Sequence, residues 1–205
     1  MDPRYSVLAT VMGSLVVQSC LPPSTTPFLD PEMKVVEVSL DYSSQSTEYE
    51  VSGETYADIR EDLRVFAGRI VLCGSADGLY AGCTNTKWAF SAADCASSKP
   101  TAVLTASANT MIPVLSAASA AHASQFSAFR DEVEAHELHH VEIHRQAAQA
   151  LAEDLQQLAE VTDCTSFNRL ASVRVEAVIE HTREEQREFD AHTSHSTVPS
   201  HSPVP

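Results

Sequence analysis

Three histidines and a glutamate occur in the segment His136-Glu137-Leu138-His139-His140, in which the first and last histidines are four residues apart. On an α-helix this spacing stacks His136 and His140 on one face, about 6 Å apart along the axis. Two imidazoles so placed can bind one zinc ion, and Glu137 can act as general base on a zinc-bound water. The pattern therefore predicts a zinc hydrolase site with His136 and His140 as ligands and Glu137 as the catalytic base.

A catalytic zinc ion has three protein ligands, so one ligand lies outside this motif. His144 is about 12 Å along the axis from His136, too far for one ion, and His139 points about 100° away from the ligand face. The third ligand is therefore expected from the C-terminal segment. The candidates in that segment are Glu184, Glu185, Asp190, His192 and His195.

The elements that must position these residues differ between the two halves of the chain. All six glycines lie at or before Gly82, and residues 114–198 contain neither glycine nor proline, which favours helices there. Apolar residues and the two histidines share one helical stripe from Phe126 to Leu158. A break at Thr162–Ser166 precedes a last helix at about 168–188, which should return antiparallel to the first.

The N-terminal half is predicted to form strands with one helix. Apolar and polar residues alternate from Val36 to Asp41 and again at Tyr49-Glu50-Val51, which is the period of a strand. Thr55 can cap a helix that Gly68 ends. We therefore expect the α+β class, with a small mixed or antiparallel sheet and one helix before the long active-site helix and the C-terminal helix.

Two further strands are predicted before the helical half. The segment Thr84–Phe90 places Thr86, Trp88 and Phe90 on one face. The segment Thr101–Ile112 is a strand that Pro113 stops. This strand can present a free edge, to which an extended peptide substrate would add as a further strand.

The charge of the chain restricts its partners. The formal net charge is −15 and only three lysines occur, so the surface repels phosphates and nucleic acid is excluded as a partner. The same surface repels anionic membranes. A membrane is therefore expected as a partner only through a lipid anchor.

The N-terminus supplies such an anchor. An apolar run from Val7 to Val17 has the length of a signal-peptide core and is too short to span a bilayer. It ends in Val17-Gln18-Ser19-Cys20, which resembles the lipobox of bacterial lipoproteins, where the cysteine is lipidated. The protein is therefore expected in the cell envelope, periplasmic or on the outer surface, with a plainly secreted protein as the alternative. The predicted segments are a signal peptide (1–20), a tether (21–33), one catalytic domain (34–196) and a disordered tail (197–205).

Four cysteines remain once Cys20 is assigned to the lipid: Cys73, Cys83, Cys95 and Cys164. In an exported chain they predict two disulfides, for which three connectivities are possible. The short segment with three glycines between Cys73 and Cys83 favours the pairing of these two.

Several segments resemble a bacterial family of predicted secreted zinc-dependent proteases. They are Tyr49-Glu50-Val51-Ser52-Gly53, Thr86-Lys87-Trp88, Cys95, the strand ending at Pro113, the His136–His140 motif, Cys164 and Phe189-Asp190-x-x-Thr193-x-His195. The resemblance runs over about residues 36–196, with Ser196 where the family has glycine. It implies a zincin-like fold and a Cys95–Cys164 disulfide. It also makes His195 the preferred third zinc ligand and Asp190 its alternative.

The sequence thus predicts a zinc-dependent hydrolase, a peptidase of the bacterial cell envelope that acts on a peptide or protein substrate. The alternative is a non-catalytic envelope lipoprotein or binding module with a structural or vestigial zinc site. Glu137 favours the enzyme, because a purely structural zinc site has no use for a general base beside an open ligand position.

Overall fold

The computed structural model describes residues 34–69, 74–75, 78–79 and 81–193, all of which belong to the unit Lys34–Pro205. The predicted signal peptide with Cys20, the tether and the tail lie outside the described residues and stay predictions. None of the helices in the described ranges combines the length and the hydrophobicity that a bilayer span needs.

Three strands form a mixed sheet on one side of the molecule. They are β1 (Glu37–Val51), β4 (Cys83–Ser91) and β5 (Thr101–Leu115), and a short hairpin of β2 (Gly74–Ser75) and β3 (Gly78–Leu79) lies between β1 and β4 in the chain. The strand order in the sheet is β1-β5-β4. The central strand β5 pairs parallel with β1 and antiparallel with β4. The α+β assignment is therefore confirmed, with a mixed sheet.

The central place of β5 corrects two predictions. The strand has a neighbour on both sides, so the edges of the sheet in the described part of the chain belong to β1 and β4, and β5 offers no free edge to a peptide. Pro113 also does not stop the strand, which continues to Leu115. Because β4 pairs with β5 only as far as Met111, one side of β5 has no ladder hydrogen bond for a proline to remove.

The first helix, α1 (Tyr56–Arg69), begins at the predicted cap. The Asp58 amide donates to Thr55 Oγ1 at 3.2 Å, and the Thr55 amide donates to Asp58 Oδ2 at 2.9 Å. This reciprocal pair satisfies two amides that the first turn of a helix leaves without partners. Ile59 and Leu63 on the inner face of α1 are buried against the end of β1.

Two long helices form a hairpin behind the sheet. A short 3₁₀ helix (Ala117–His122) leads into α2 (Ala123–Val161), and α3 (Cys164–Thr193) follows after only two residues. The predicted break at Thr162–Ser166 was too long, because Asp163 Oδ1 accepts hydrogen bonds at 3.0 Å from the amides of Thr165 and Ser166 and so caps α3 early. The helix also runs past residue 188, where the prediction ended it.

The helix α3 returns antiparallel to α2, as predicted. Near the hairpin turn, Arg174 of α3 pairs with Asp154 of α2. Far from the turn, Asp190 of α3 contacts His136 and His140 of α2. The C-terminal end of α3 therefore lies over the histidine motif.

The main core lies between the sheet and this hairpin. Every second residue of β5 from Ala102 to Ala108 faces inward and is at most 2% exposed. Three of these four residues are alanines, and small side chains let the helices approach the sheet closely. Leu151, Leu155 and Phe167 fill the space from the helix side, and each such burial contributes about 1.5–3 kcal/mol.

A disulfide joins the two layers at the hairpin turn. Cys95, in the loop after β4, is bonded to Cys164, the first residue of α3, with the Cα atoms 5.7 Å apart. This confirms the predicted Cys95–Cys164 pair. Cys83 is also disulfide-bonded, but Cys73 lies outside the described residues, so the Cys73–Cys83 pair stays a prediction.

His144 is buried beneath the sheet one turn beyond His140. Its side chain is fully buried, with its ring centroid 4.4 Å from that of Trp88 and 5.8 Å from that of Tyr42. Neither ring nitrogen has a hydrogen-bond partner among the described residues. Burial lowers the pKa of His144 to about 4, because a charged imidazolium would lose its hydration there.

We expect His144→Leu to remove part of the acid sensitivity of folding. The unfolded chain binds the proton at a pKa of about 6.5, so stability present above pH 6.5 is lost as the pH falls toward 4, and the loss between pH 7 and pH 4.5 is about 2 kcal/mol. Urea unfolding of chelator-treated protein at pH 7 and pH 4.5 measures the change. His181→Leu, at an exposed histidine of α3, is the matched control, and an unchanged pH dependence in His144→Leu contradicts the prediction.

Candidate metal centre

Three side chains from the helical hairpin converge at the C-terminal end of α3. His136 and His140 lie on the buried face of α2, with relative exposures of 5% and 7%. Asp190 Oδ1 lies 3.0 Å from His136 Nε2 and 2.9 Å from His140 Nε2, and the two Nε2 atoms are 3.1 Å apart. The three atoms thus form a nearly equilateral triangle that could hold a metal ion.

The size of this triangle fits a small divalent cation. A tetrahedral ion with bonds of 2.0–2.1 Å has neighbouring ligand atoms about 3.3 Å apart, close to the observed edges. The donor set also fits, because two imidazole nitrogens and one carboxylate oxygen are ligands that zinc binds. These three ligands, which are those that the described residues offer, would leave a fourth position of the tetrahedron for water or substrate.

Thr193 sets the tautomer of His136. The Thr193 hydroxyl donates its single proton to the Phe189 carbonyl at 2.7 Å, so it can only accept from His136 Nδ1, which is 3.2 Å away. The proton of a neutral His136 ring therefore lies on Nδ1. This leaves the Nε2 lone pair pointing at the triangle, as a metal ligand requires.

Asp190 occupies the last turn of α3, three residues before Thr193, so the two side chains share one helix face. Burial on its own would raise its pKa, but the close contacts with the rings of His136 and His140 hold the pKa of Asp190 well below its usual range. The carboxylate is therefore ionised and available to a cation at neutral pH.

The other predicted third ligands do not meet at this point. Glu184, Glu185 and His192 are exposed on α3, and His192 Nδ1 donates to the Glu188 carbonyl at 2.6 Å. His195 lies outside the described residues, so its role as a ligand stays a prediction. Asp190, the predicted alternative, is the carboxylate that the structure brings to both histidines. It does so because α3 extends to Thr193 and carries this residue on the helix itself.

The Phe189 ring covers the histidine rings. Its centroid lies 4.1 Å from that of His139, 4.7 Å from that of His136 and 5.1 Å from that of His140. His139 is thus outside the triangle, as predicted, and contacts the site only through Phe189. This packing restrains the rotation of the His136 and His140 rings.

Glu137 lies beneath the triangle on the sheet side of α2. Its side chain is 2% exposed, and Thr84 Oγ1 on β4 donates to Glu137 Oε2 at 2.9 Å. Burial raises the pKa of Glu137, against the lowering effects of His140, the Thr84 hydrogen bond and His136. A carboxylate with a raised pKa is a better proton acceptor than a free glutamate, as a general base requires.

A glycine leaves room for this glutamate. A Cβ atom on Gly82 would lie 2.5 Å from Val133 Cγ1 and 3.0 Å from Glu137 Cγ, so any larger residue would have to displace the side chains of Val133 and Glu137. Tyr49, on β1, donates its hydroxyl proton to the neighbouring carbonyl of Ala81. Sequence reasoning found neither Gly82 nor Thr84 as site residues, because their contacts to Glu137 cross more than 50 positions of the chain.

We expect Thr84→Val to raise the pKa of Glu137 further, because the substitution removes a hydrogen bond to the ionised carboxylate while keeping the side-chain volume. Carbon-13 NMR titration of the glutamate carboxyl groups in metal-free protein measures this. Thr84→Ser keeps the hydroxyl and is the control. A Glu137 that titrates identically in the valine variant and the wild type would show that the Thr84 contact has no electrostatic effect.

Comparison with known proteins connects this site to a family. The model of a family described as "Bacterial protein of unknown function (DUF922)" matches residues 46–196, which include the motif on α2 and the end of α3. No curated protein matches the chain. No solved structure matches it either.

Proposed function

Because the chain belongs to this bacterial family of unknown function, we propose its activity from the site itself: a zinc-dependent hydrolase that acts as a peptidase. The observation that carries the proposal is the position of Glu137. A buried carboxylate with a raised pKa lies beside three side chains that could hold a metal ion, and the described residues supply no fourth protein ligand. A purely structural zinc site has four protein ligands and needs no base.

Each residue of the site then has one task. His136, His140 and Asp190 would hold the ion, which would supply an acidified water and Lewis-acid activation of the scissile carbonyl. Glu137 accepts the proton of the attacking water and can pass it to the leaving amine. Thr84 holds one carboxylate oxygen of Glu137 and leaves Oε1 to receive the proton. Thr193 keeps the His136 lone pair on Nε2.

A zincin-like fold is part of this proposal. It is supported by a small mixed sheet packed on a long helix that carries the His-Glu-x-x-His motif. An extended substrate would add to the outer edge of β4, which pairs with β5 on its other side only, within the described residues. Thr84, near the start of β4, contacts Glu137, so a peptide along this edge would pass the catalytic base.

The proposal also keeps the cell envelope as the location. The Cys95–Cys164 disulfide supports export, because disulfides persist in oxidising compartments and are rare in the cytosol. The Val17–Cys20 pattern supports a lipid anchor on Cys20, which would be the protein's means of attachment to a membrane.

Metal analysis and peptide cleavage together test the proposal. We expect about one zinc per chain in protein purified without added chelator, and cleavage of a diverse peptide library that stops with chelation and returns with zinc. Zinc binding without cleavage of any peptide favours the alternative, a binding module with a structural site. Purified protein that binds no divalent metal overturns the proposal.

A further inference from the structure

An open pocket of about 380 Å³ adjoins the metal centre on the solvent side of α2. It lies between α2 and the last turn of α3, and one of the proposed ligands forms part of its wall. The residues that line it are Glu132, Ala135, His136, His139, Phe189 and Thr193. A side chain next to a bond cleaved at the metal therefore has this pocket within reach.

The walls of the pocket suit the unbranched aliphatic stem of a long side chain. Phe189 and His139 present ring surfaces whose centroids are 4.1 Å apart, and Ala135 adds a methyl group. The ring of Phe189 also packs at 4.7 Å against that of His136, so this wall is held in place from both helices. Aromatic faces attract both methylene groups and cations.

Glu132 gives the pocket a negative charge. It lies four residues before His136 on α2, which places it about 6 Å along the helix from the proposed ligand. The nearest arginine on α2, Arg130, pairs with Glu48 at 3.2 Å and with Glu134 at 3.3 Å. Glu132 has no hydrogen bond or ion pair with the other described residues. Its carboxylate is therefore free to receive a cation from a ligand.

From these contacts we infer that the pocket selects a lysine or arginine side chain beside the scissile bond, an inference that rests on the proposed peptidase function. The stem lies against Phe189 and His139, and the cationic end reaches Glu132. The net charge of −15 attracts basic peptides to the surface in general.

Peptide binding to the zinc-loaded Glu137→Gln variant tests this inference without turnover. The probes are fluorescent peptides that differ only in one central residue: arginine, norleucine or glutamate. We expect the arginine peptide to bind most tightly, and Glu132→Gln in the same background to weaken it roughly three- to tenfold without affecting the norleucine peptide. Glu132→Arg should favour the glutamate peptide. Asp131→Asn, at an adjacent exposed carboxylate outside the pocket, is the matched control and should bind like its parent.

Cleavage mapping with wild-type protein separates the two proposals. Lysine or arginine should be enriched at one position flanking the cleaved bonds, and the enrichment should fall in Glu132→Gln. Cleavage without such enrichment, or equal binding of the arginine and norleucine peptides, overturns the pocket assignment and leaves the peptidase proposal standing. If no peptide is bound or cleaved, both proposals are wrong.

Discussion

Glu137→Gln should abolish most hydrolysis while leaving the metal in place. The substitution keeps the size of the side chain and its contact with Thr84, but an amide cannot accept the proton of the attacking water. Removing a general base lowers rates by about 100- to 10,000-fold. The zinc content should stay at about one per chain, because Glu137 is not part of the ligand triangle. Turnover of a peptide that the wild type cleaves, measured together with metal content, tests this.

The same helix offers a matched control for this variant. Glu134→Gln removes a carboxylate that pairs with Arg130 at 3.3 Å, three residues before Glu137 and outside the ligand set. It should retain wild-type turnover and zinc. If Glu137→Gln retains the wild-type rate, Glu137 is not the base and the mechanism proposed above fails, even if zinc binding is confirmed.

Asp190→Ala should lower zinc affinity by more than about 100-fold, the upper end of the range typical of residues that only support a ligand. The carboxylate contacts both histidines at about 3 Å, so its removal leaves two ligands on one helix face. Competition with a chromogenic chelator measures the affinity. Thr193→Val, which removes only the hydrogen bond to His136 Nδ1, should cost about 10- to 100-fold.

Two comparisons make the Asp190 result decisive. Glu188→Ala removes an exposed carboxylate from the same turn of α3 and should bind zinc like the wild type. His195→Ala should lower the affinity less than Asp190→Ala does. The opposite order, with strong loss in His195→Ala and little in Asp190→Ala, would establish His195 as the third ligand.

Local periodicity was enough to predict two of the three residues of the candidate metal centre. The four-residue spacing of His136 and His140 places both rings on one helix face whatever the helix packs against. The cap at Thr55 and the strand alternation in β1 are local in the same sense, and both predictions agree with the structure. The Cys95–Cys164 bond followed from family resemblance and not from spacing, since 69 positions separate the two cysteines.

The remaining parts of the site depend on how distant segments pack. Asp190 reaches His136 across 54 positions, because α3 begins early at Cys164, returns antiparallel and stays helical to Thr193. A shorter helix, as predicted, would have put Asp190 on a loop. The order of the strands in the sheet could not be predicted from the sequence either. The alternation of residues in β5 indicates which of its faces is buried, but not which strands lie beside it.

Glu137 combines both kinds of property: some follow from its place in the sequence, and others follow from the packing around it. Its place beside His136 made it the predicted base from sequence alone. Its burial, its raised pKa and its hydrogen bond to Thr84 come from β4 and from the close approach of Gly82. Residue type and spacing determine which groups can do the chemistry, whereas the desolvation and partners that tune a carboxylate exist only where separate elements of the fold meet.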